Sequence, residues 1–420
     1  MAIIRPFKAY RPVKEYVKDI AALPYDVMSS KEAREIVKNN KYSFLRVDRA
    51  EVNLAESVGE YDKVVYDTAN QVLENMIEKG LYIQEKTPAI YIYQQIMDGR
   101  GQKGIVCCTS VDDYINNIIK KHERTRLLKE IDRVNHVDIC NANTGPIFLT
   151  YRNNDEISSI VEEWSKKVPV YDFISEDGNG HRVWIIDDNI IIEKLVKLFK
   201  SIKYLYIADG HHRAASAVKV GLARREANPG YDGTEEFNYF MSVLFPASQL
   251  SILAYNRVVR DLNGLTKDEF LNALAGENGP FEIIHKQESQ LEPIDKGAVG
   301  MYLDREWYGL GVKPEFESSD PVEGLDVSIL QEKVLAPILG IGDPRTDGRI
   351  EFVGGISGLR ELERKVNRID AHGDGPAVAF AMFPMSIDEL LDVADAGRLM
   401  PPKSTWFEPK LRSGLFAHLI

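Results

Sequence analysis

The sequence has few cysteines: Cys107, Cys108 and Cys140 among 420 residues. Three cysteines cannot build a disulfide framework, and their spacing matches no metal-binding pattern. Cys107 and Cys108 are adjacent in an apolar run, where small core residues are the ordinary interpretation. We therefore expect a reduced, cytoplasmic protein.

Positive charge is also in deficit, since 52 Lys and Arg face 64 Asp and Glu and the net charge is −12. Nucleic-acid backbones are bound by surplus Lys and Arg, so this balance argues against general nucleic-acid binding and leaves open only a local basic patch. No segment approaches the roughly 20 apolar residues that span a bilayer. The apolar stretch before Arg5 is too short for a signal peptide. We expect no membrane partner.

Several common catalytic signatures are missing. There is no HExxH zinc motif, no GxxxxGK[ST] phosphate loop and no GxSxG nucleophile turn. Gly99 and Gly101 lie in a predicted hairpin and do not make a dinucleotide fingerprint. Nothing in the sequence pairs a cysteine with a histidine. The chemistry must therefore come from acidic residues, histidines, arginines and lysines.

The most informative stretch is Asp-Gly-His-His-Arg at 209–213. The apolar run 204–208 predicts a buried strand before it, and the Ala-rich run 214–218 predicts a helix after it. Gly210 permits a sharp turn, and Arg213 can donate two hydrogen bonds to phosphate at a helix N-terminus. The junction is typical of a phosphate or metal site.

A plain polar turn capped by Asp209 is the alternative interpretation of this junction. His211 and His212 are adjacent, so in an extended segment their rings point to opposite sides. That weakens a two-histidine metal site and favours one histidine in the site with the other supporting it.

Two further polar stretches are candidates. His122 and Glu123 precede a helix-like run for which Thr125 is a predicted N-cap; a solvated helix face is the alternative. Tyr25 and Asp26 lie on a proline-led loop that could face a ligand. A capped turn with one buried ring explains that loop equally well.

The C-terminal stretch is the third candidate. Lys403, Ser404, Thr405 and Lys410 offer donors suited to an anion, and neighbouring aromatic residues are unusual in a loose tail. The sequence leaves open whether this segment lines a ligand site or is a structural clasp.

Together these groups suit phosphoryl transfer. That reaction needs charge neutralisation of the phosphates, usually a magnesium ion, and a carboxylate that takes the proton from an acceptor hydroxyl. Glu123 is the candidate base and Asp209 the candidate magnesium ligand. His211, His212 and Arg213 are candidate phosphate ligands.

The pattern resembles the DUF1015 family of bacterial and archaeal proteins. More distantly, it is similar to the ParB/sulfiredoxin-like fold and, within it, to the free serine kinases. The motifs that carry the DUF1015 resemblance are Arg5-Pro6, Pro24-Tyr25-Asp26-Val27, His122-Glu123-Arg124-Thr125, Ala208 to Arg213, and Pro401 to Thr405 with Phe407, Pro409 and Lys410. The similarity to the free serine kinases is carried by two of them, His122-Glu123-x-Thr125 and Asp209 to Arg213.

In the free serine kinases, the glutamate of the His-Glu segment is the base and the Asp-Gly-His motif binds phosphate and metal. The resemblance therefore implies catalytic roles for Glu123, Asp209 and His211, with Asp209 also the metal ligand. The expected phosphate or nucleotide contacts are Gly210, His212, Arg213, Thr125, Lys403, Ser404, Thr405 and Lys410, and the expected substrate contacts are His122, Tyr25 and Asp26. The departure is a long insertion at 134–203, which compact ParB-like domains lack.

The sequence thus predicts an α+β protein with a ParB/sulfiredoxin-like core and large elaborations at both ends. We expect an N-terminal region at 1–110, the core at 111–262 and a C-terminal region at 263–420. The expected function is a kinase that uses ATP or ADP with Mg²⁺ on a small hydroxylated metabolite, free serine being the first choice. A nucleotide-binding regulator of the partition type and a phosphatase or nuclease are the alternatives, and a homo-oligomer stays open.

Overall fold

The computed structural model describes residues 1–373 and 375–420. Helices and strands of both pairing directions are mixed along the chain, which confirms the predicted α+β class. The chain divides into two compact units. Unit 1 comprises Met1–Lys121, Thr125–Leu250 and Pro409–Ile420, and unit 2 comprises His122–Arg124 and Ser251–Glu408.

The strands share one numbering through both units, with β13 to β20 in unit 2. In chain order they are β1 (Ile4–Arg5), β2 (Tyr10–Pro12), β3 (Tyr82–Gln84), β4 (Ile90–Met97), β5 (Arg100–Ser110), β6 (Ile119–Lys120), β7 (Ala142–Asn143), β8 (Ile147–Tyr151), β9 (Tyr171–Ile174), β10 (Gly180–Ile186), β11 (Leu205–Asp209), β12 (Tyr239–Pro246), β13 (Ile252–Leu253), β14 (Tyr255–Val259), β15 (Phe281–Gln287), β16 (Ala298–Leu303), β17 (Glu306–Val312), β18 (Ile350–Gly354), β19 (Val378–Met382), β20 (Trp406–Phe407) and β21 (His418–Leu419).

The helices are numbered in the same way, with α10 to α13 in unit 2. They are α1 (Val17–Ile20), α2 (Ser30–Asn39), α3 (Leu45–Asp48), α4 (Lys63–Glu78), α5 (Val111–Ile115), α6 (Leu127–Cys140), α7 (Asp155–Trp164), α8 (Asn189–Phe199), α9 (His211–Ala227), α10 (Lys267–Ala275), α11 (Asp326–Leu330), α12 (Leu359–Ala371) and α13 (Ile387–Asp395).

A nine-stranded sheet organises unit 1. Its strand order is β6-β11-β8-β12-β5-β4-β10-β9, with β1 paired to β5 outside this path. Strand β8 runs antiparallel to β11 and parallel to β12, while β4 and β5 form the hairpin expected at residues 98–101. The apolar residues of these strands are buried and form the core of the unit.

The pairing of β5 with β12 joins the first two regions predicted from the sequence in one sheet. The limits of the two compact units therefore differ from the predicted region boundaries at residues 110 and 262. The three-region division stays a prediction about domains, because compactness does not show which segments fold alone.

Local sequence explains several helices of unit 1 and fails for one. Helix α2 starts at a capping box in which Ser29 accepts from the Glu32 N–H and Glu32 accepts in return, as the serine cap predicts. The apolar run 44–47 predicts a strand, but the structure has helix α3 there, so that prediction is wrong. Leu45 and Val47 are both buried in the core between helices, where burial rather than β propensity decides the backbone.

The C-terminal segment of unit 1 is an integral part of its core. Ser413 exchanges two backbone hydrogen bonds with Ala22, of 2.9 and 3.1 Å, and β21 pairs with β7. The Tyr82 hydroxyl donates to the Gly414 carbonyl at 2.7 Å. Residues 411–418 are buried, so this segment has a fixed path that positions Lys410.

Unit 2 is built on a six-stranded antiparallel sheet with the order β15-β17-β16-β19-β14-β18. Helix α12 packs its buried Leu362 and Val366 against this sheet. Helix α11 continues into a π-helical turn at Gln331–Leu335, where the sequence predicts an uninterrupted helix at 326–339. Over the residues described, the structure contains no helix with the length and apolar character needed to cross a membrane.

Candidate functional site

The stretch 209–213 forms the predicted junction between a strand and a helix. Asp209 ends β11, Gly210 is the turn, and His211 is the first residue of α9. Gly210 has φ +90°, a conformation that L side chains rarely adopt, so the turn requires glycine. The junction brings the first N–H groups of α9 to the end of the large sheet, where they can bind an anion.

Asp209 is held at this junction by a cation from the C-terminal segment. Its Oδ2 lies 3.1 Å from Lys410 Nζ, and its Oδ1 accepts from the Gly210 N–H at 2.7 Å. Burial opposes ionisation, but Lys410 and Arg213 outweigh it and hold the pKa of Asp209 well below its usual range. Asp209 is therefore an ionised anchor for the turn.

Arg213 points back across the junction to the start of β8. Its Nη1 donates to the Pro146 carbonyl at 2.7 Å, and its buried Nε has no hydrogen-bond partner. Burial acts to lower the pKa of Arg213, and Asp26 and Asp209 overcome that effect and raise it. The site thus contains a charged guanidinium with one N–H to spare.

The two histidines differ in environment. His211 is buried, which lowers its pKa to about 4 and leaves the imidazole neutral at pH 7. His212 is partly exposed. Both belong to α9, so their side chains point about 100° apart around the helix axis. In an extended segment they would point to opposite sides. That part of the sequence argument is wrong.

Tyr25 extends the site. Its side chain is 4% exposed, and the guanidinium carbon of Arg133 lies 4.1 Å from its ring centroid. Arg133 in turn lies 3.0 Å from Asp132 in a buried ion pair. Asp26 is exposed, and its charge acts on both Tyr25 and Arg213. The predicted Tyr25–Asp26 loop therefore neighbours the Arg213 side chain.

The loop before β8 supplies further polar groups. The Thr144 hydroxyl donates to Asp48 Oδ1 at 2.7 Å, while the Asn143 amide nitrogen is buried without a partner. A space of about 20 Å³, room for a single water, is lined by Tyr25, Asp48, Arg133, His136, Val137, Asn143, Thr144, Gly145, Arg213 and Ser216. Residues 209–213, Lys410, Tyr25, Asp48, Arg133, Asn143 and Thr144 are called the junction site below.

Thr125 has a different role from the one predicted. The N-cap of α6 is Arg126, without a side-chain cap bond, so the capping prediction is wrong. The Thr125 hydroxyl instead donates to Glu130, which is also paired with Lys219. A phosphate contact by Thr125 stays a prediction.

The remaining predicted residues belong to unit 2. The Met400 N–H donates to the His122 carbonyl at 2.9 Å, and Glu123 lines a cavity together with Pro401 and Pro402. The structure thus brings the His-Glu segment and the Pro-Pro segment together within this unit. The predicted pairing of Glu123 with residues 209–213, which belong to unit 1, stays a prediction.

The Lys-Ser-Thr segment at 403–405 is held by contacts inside unit 2. The Ser404 hydroxyl donates to the Pro401 carbonyl at 2.6 Å, and the buried Arg257 donates to the Lys403 carbonyl at 3.2 Å. Trp406 packs edge-on against Tyr255, with ring centroids 5.1 Å apart. These contacts fix the turn; nucleotide contacts by Lys403, Ser404 and Thr405 stay predictions.

Within residues 1–373 and 375–420, no group of three or more His, Cys, Asp or Glu side chains is arranged to hold a metal ion. Mg²⁺, however, is commonly bound by one or two carboxylates together with substrate phosphates. The magnesium role of Asp209 stays a prediction.

Residues 4–328 match the family described as protein of unknown function (DUF1015). The chain belongs to the DUF1015 family. The resemblance noted in the sequence is therefore confirmed at the family level. No curated protein matches this DUF1015 chain.

Three solved structures are similar to this DUF1015 protein at low identity. SbnI with a C-terminal truncation, from Staphylococcus aureus, is 13% identical with a TM-score of 0.37, covering 75% of this chain and 87% of that one. A conserved hypothetical protein from Pyrococcus furiosus is 14% identical with a TM-score of 0.36, covering 75% and 95%. A free serine kinase in complex with AMP is 15% identical with a TM-score of 0.34, covering 72% and 86%.

Sequence reasoning missed several members of the junction site. Arg133 and Asp48 are polar residues of helices α6 and α3, and nothing local distinguishes them from solvated positions. Asn143 and Thr144 had a usable signal, because a polar loop directly before a buried strand is a common place for ligand contacts.

Proposed function

We propose that this DUF1015 protein is a nucleotide-dependent phosphotransferase that acts on a small hydroxylated metabolite, with free serine as the first acceptor to test. The observation that carries the proposal is the Arg213 guanidinium, whose buried Nε lacks a hydrogen-bond partner at the start of α9. A planar guanidinium beside helix N–H groups matches the geometry of a phosphate.

The phosphate-binding role rests on charge at the junction site. Arg213 and Lys410 both act on Asp209, so two cations converge on one carboxylate at a helix N-terminus. A phosphate group can take over from the carboxylate as partner of these cations. In this proposal the donor is ATP or ADP, and Gly210, His212, Arg213 and Lys410 contact its phosphates. Thr125, Lys403, Ser404 and Thr405 are further proposed contacts, because their hydroxyl and ammonium groups are donors suited to an anion.

The proposed reaction follows the ordinary course of phosphoryl transfer. The bond between the terminal phosphorus and its bridging oxygen breaks, and a bond from phosphorus to the acceptor oxygen forms. The acceptor hydroxyl gives its proton to the Glu123 carboxylate, and the nucleotide leaves with one phosphate fewer. His122, Tyr25 and Asp26 are the acceptor contacts that the sequence predicts, and His211 supports the phosphate site as a neutral imidazole.

Magnesium is compatible with the donor set but needs the nucleotide as co-ligand. Asp209 would hold the ion through one oxygen in exchange for its Lys410 contact, with phosphate oxygens and water completing the shell. When bound, the ion would supply further neutralisation of phosphate charge. We also infer that residues 111–262 contain the ParB/sulfiredoxin-like core, on the strength of the His-Glu and Asp-Gly-His motifs.

The experiment is an assay of phosphate transfer from ATP and from ADP, with Mg²⁺, to a panel of hydroxy amino acids. We expect phosphorylated product with the wild-type protein and at least a hundredfold lower rate for Glu123→Gln, because a general base contributes about 10²–10⁴-fold. Glu288→Gln, an exposed position in the same unit, is the matched control. No product with any acceptor would refute the proposal, and phosphate released to water alone would point to a phosphatase.

A further inference from the structure

Unit 2 contains a cavity of about 960 Å³, a volume within the range of small-molecule sites. Helix α11 and the π-helical turn that follows form one wall, since Ser328, Ile329 and Gln331 line it. Pro401 and Pro402 contribute to the lining, and so does Glu123. The candidate base thus faces a space large enough for a metabolite.

The charges that line the cavity are predominantly acidic. They comprise six carboxylates against four cations: Glu123, Glu315, Glu317, Glu323, Glu332 and Asp343 against Arg124, Lys333, Arg345 and Arg398. Arg345 is paired with Asp343 at 2.7 Å, and Arg398 is paired with Asp320. The Arg345–Asp343 pair cancels within the lining and Arg398 is neutralised by Asp320, so five carboxylates face two further cations and the lining attracts a positively charged group.

Ser328 is an independent sign of a ligand. It is 4% exposed, it lines the cavity, and its Oγ has no hydrogen-bond partner. Buried hydroxyl groups are nearly always hydrogen-bonded, so the unsatisfied Ser328 hydroxyl at the cavity wall indicates that a bound ligand supplies its partner. The adjacent turn at Gln331–Leu335 is π-helical, a distortion that is frequent at functional sites.

We propose that this cavity, rather than the Tyr25–Asp26 loop, is the acceptor subsite, and that the acceptor carries an ammonium group beside its hydroxyl, as small amino alcohols and hydroxy amino acids do. The ammonium group binds the surplus carboxylates, and the hydroxyl group is within the space that Glu123 lines. The inference rests on the proposed function for the acceptor role of the bound molecule and for the role of Glu123 as base. Binding of the ammonium group does not depend on it.

The test is calorimetric titration of the full chain without nucleotide, using matched pairs of probes. Ethanolamine is compared with ethylene glycol, and L-serine with 3-hydroxypropanoate, so that each pair differs by the amino group. We expect each amine to bind at least tenfold more tightly than its partner. Equal affinities within both pairs, or no binding by either amine, would overturn the proposal.

Two variants localise the binding. Ser328→Ala removes an unsatisfied hydroxyl, so it is expected to leave the melting temperature unchanged or higher while weakening amine binding several-fold. Ser357→Ala, an exposed position outside the cavity lining, is the control and should bind as wild type does. Unaltered binding by Ser328→Ala would place the probes elsewhere and contradict the assignment.

The transfer assay separates this inference from the proposed function. Selective amine binding without any phosphate transfer would support the cavity assignment and refute the kinase. Transfer to hydroxylated acceptors that lack an amine, at rates equal to the amines, would support the kinase and refute this inference.

Discussion

Lys410 Nζ lies 3.1 Å from Asp209 Oδ2, although the two residues are 201 positions apart in the sequence. The contact exists because the C-terminal segment of unit 1 is fixed in the core by its backbone bonds to Ala22. Lys410 therefore enters the junction site from a buried, ordered segment. The sequence leaves open whether the C-terminal stretch is a structural clasp or lines a ligand site. The part of it that belongs to unit 1, from Pro409 onward, has a structural role.

Replacing Lys410 tests this relationship. Lys410→Ala removes one of the two cations that balance the negative charge of Asp209. Because the pair is largely buried, we expect a loss of about 1–3 kcal/mol in the free energy of unfolding. We also expect at least a tenfold loss of ATP affinity, since a cation of the proposed phosphate site is gone. Urea unfolding and calorimetric titration measure the two effects.

The control for this substitution is Lys8→Ala, which removes an exposed lysine of the same unit. It should change neither stability nor affinity by more than about 0.5 kcal/mol. If Lys410→Ala destabilises the fold but binds ATP normally, Lys410 is a structural residue and the phosphate assignment fails.

The depressed pKa of Asp209 predicts how stability changes in acid. Because the folded pKa lies below the unfolded value of about 3.9, the stabilising contribution is fully present above that value and is lost as pH falls through the folded pKa. Asp209→Asn cannot titrate, so its stability should fall less steeply between pH 5 and pH 2 than that of the wild type. Urea unfolding at stepped pH gives both slopes.

Asp187→Asn, at an exposed position of unit 1, controls for the general loss of one carboxylate. Its slope should match that of the wild type. Parallel slopes for Asp209→Asn and wild type would mean that Asp209 is not held ionised by Lys410 and Arg213.

Gly210 offers a test of geometry rather than charge. At φ +90° an alanine is strained by about 1–2 kcal/mol, and a Cβ there would lie 3.5 Å from Arg213 Nε. We expect Gly210→Ala to lower stability by this amount and also to weaken ATP binding several-fold, since the start of α9 must shift.

Gly178 provides the matched comparison because it has φ +82° and no atom within 4 Å of a built Cβ. Gly178→Ala in the β9–β10 hairpin should cost similar stability and leave ATP binding intact. Equal binding by both alanine variants would show that the turn at Gly210 serves the fold alone.

The junction itself could be predicted from sequence because its signals are local. An apolar run, an isolated polar stretch with glycine, and an alanine-rich run specify strand, turn and helix within 15 residues. The end of α9 could not be read in this way. Gly221 predicts the end of the helix, but α9 continues to Ala227, so that prediction is wrong. Glycine is needed at 221 for packing instead, because a Cβ there would lie 2.5 Å from the Phe237 carbonyl oxygen.

The contacts of the site were beyond local reasoning. Neither the approach of Lys410 to Asp209 nor the stacking of Arg133 on Tyr25 follows from spacing, since each depends on the path of the chain through the core. The same holds for the cavity of unit 2. Most of its lining comes from residues 315–345, which carry no recognisable motif, and only Glu123, Arg124, Pro401 and Pro402 belong to motifs of the sequence.

Arg213→Lys tests whether the shape of the cation matters as well as its charge. A lysine keeps the positive charge, but its single ammonium group cannot both reach the Pro146 carbonyl and present a second, coplanar N–H to phosphate. We expect ATP affinity to fall about tenfold or more, equivalent to about 1.4 kcal/mol. Arg224→Lys is the control, because it makes the same substitution on the same helix but outside the junction site, where Arg224 donates to Asp138 at 2.8 Å. This variant should bind ATP as the wild type does. If the two variants lose affinity equally, the effect arises from α9 as a whole, and the guanidinium of Arg213 is not the phosphate ligand.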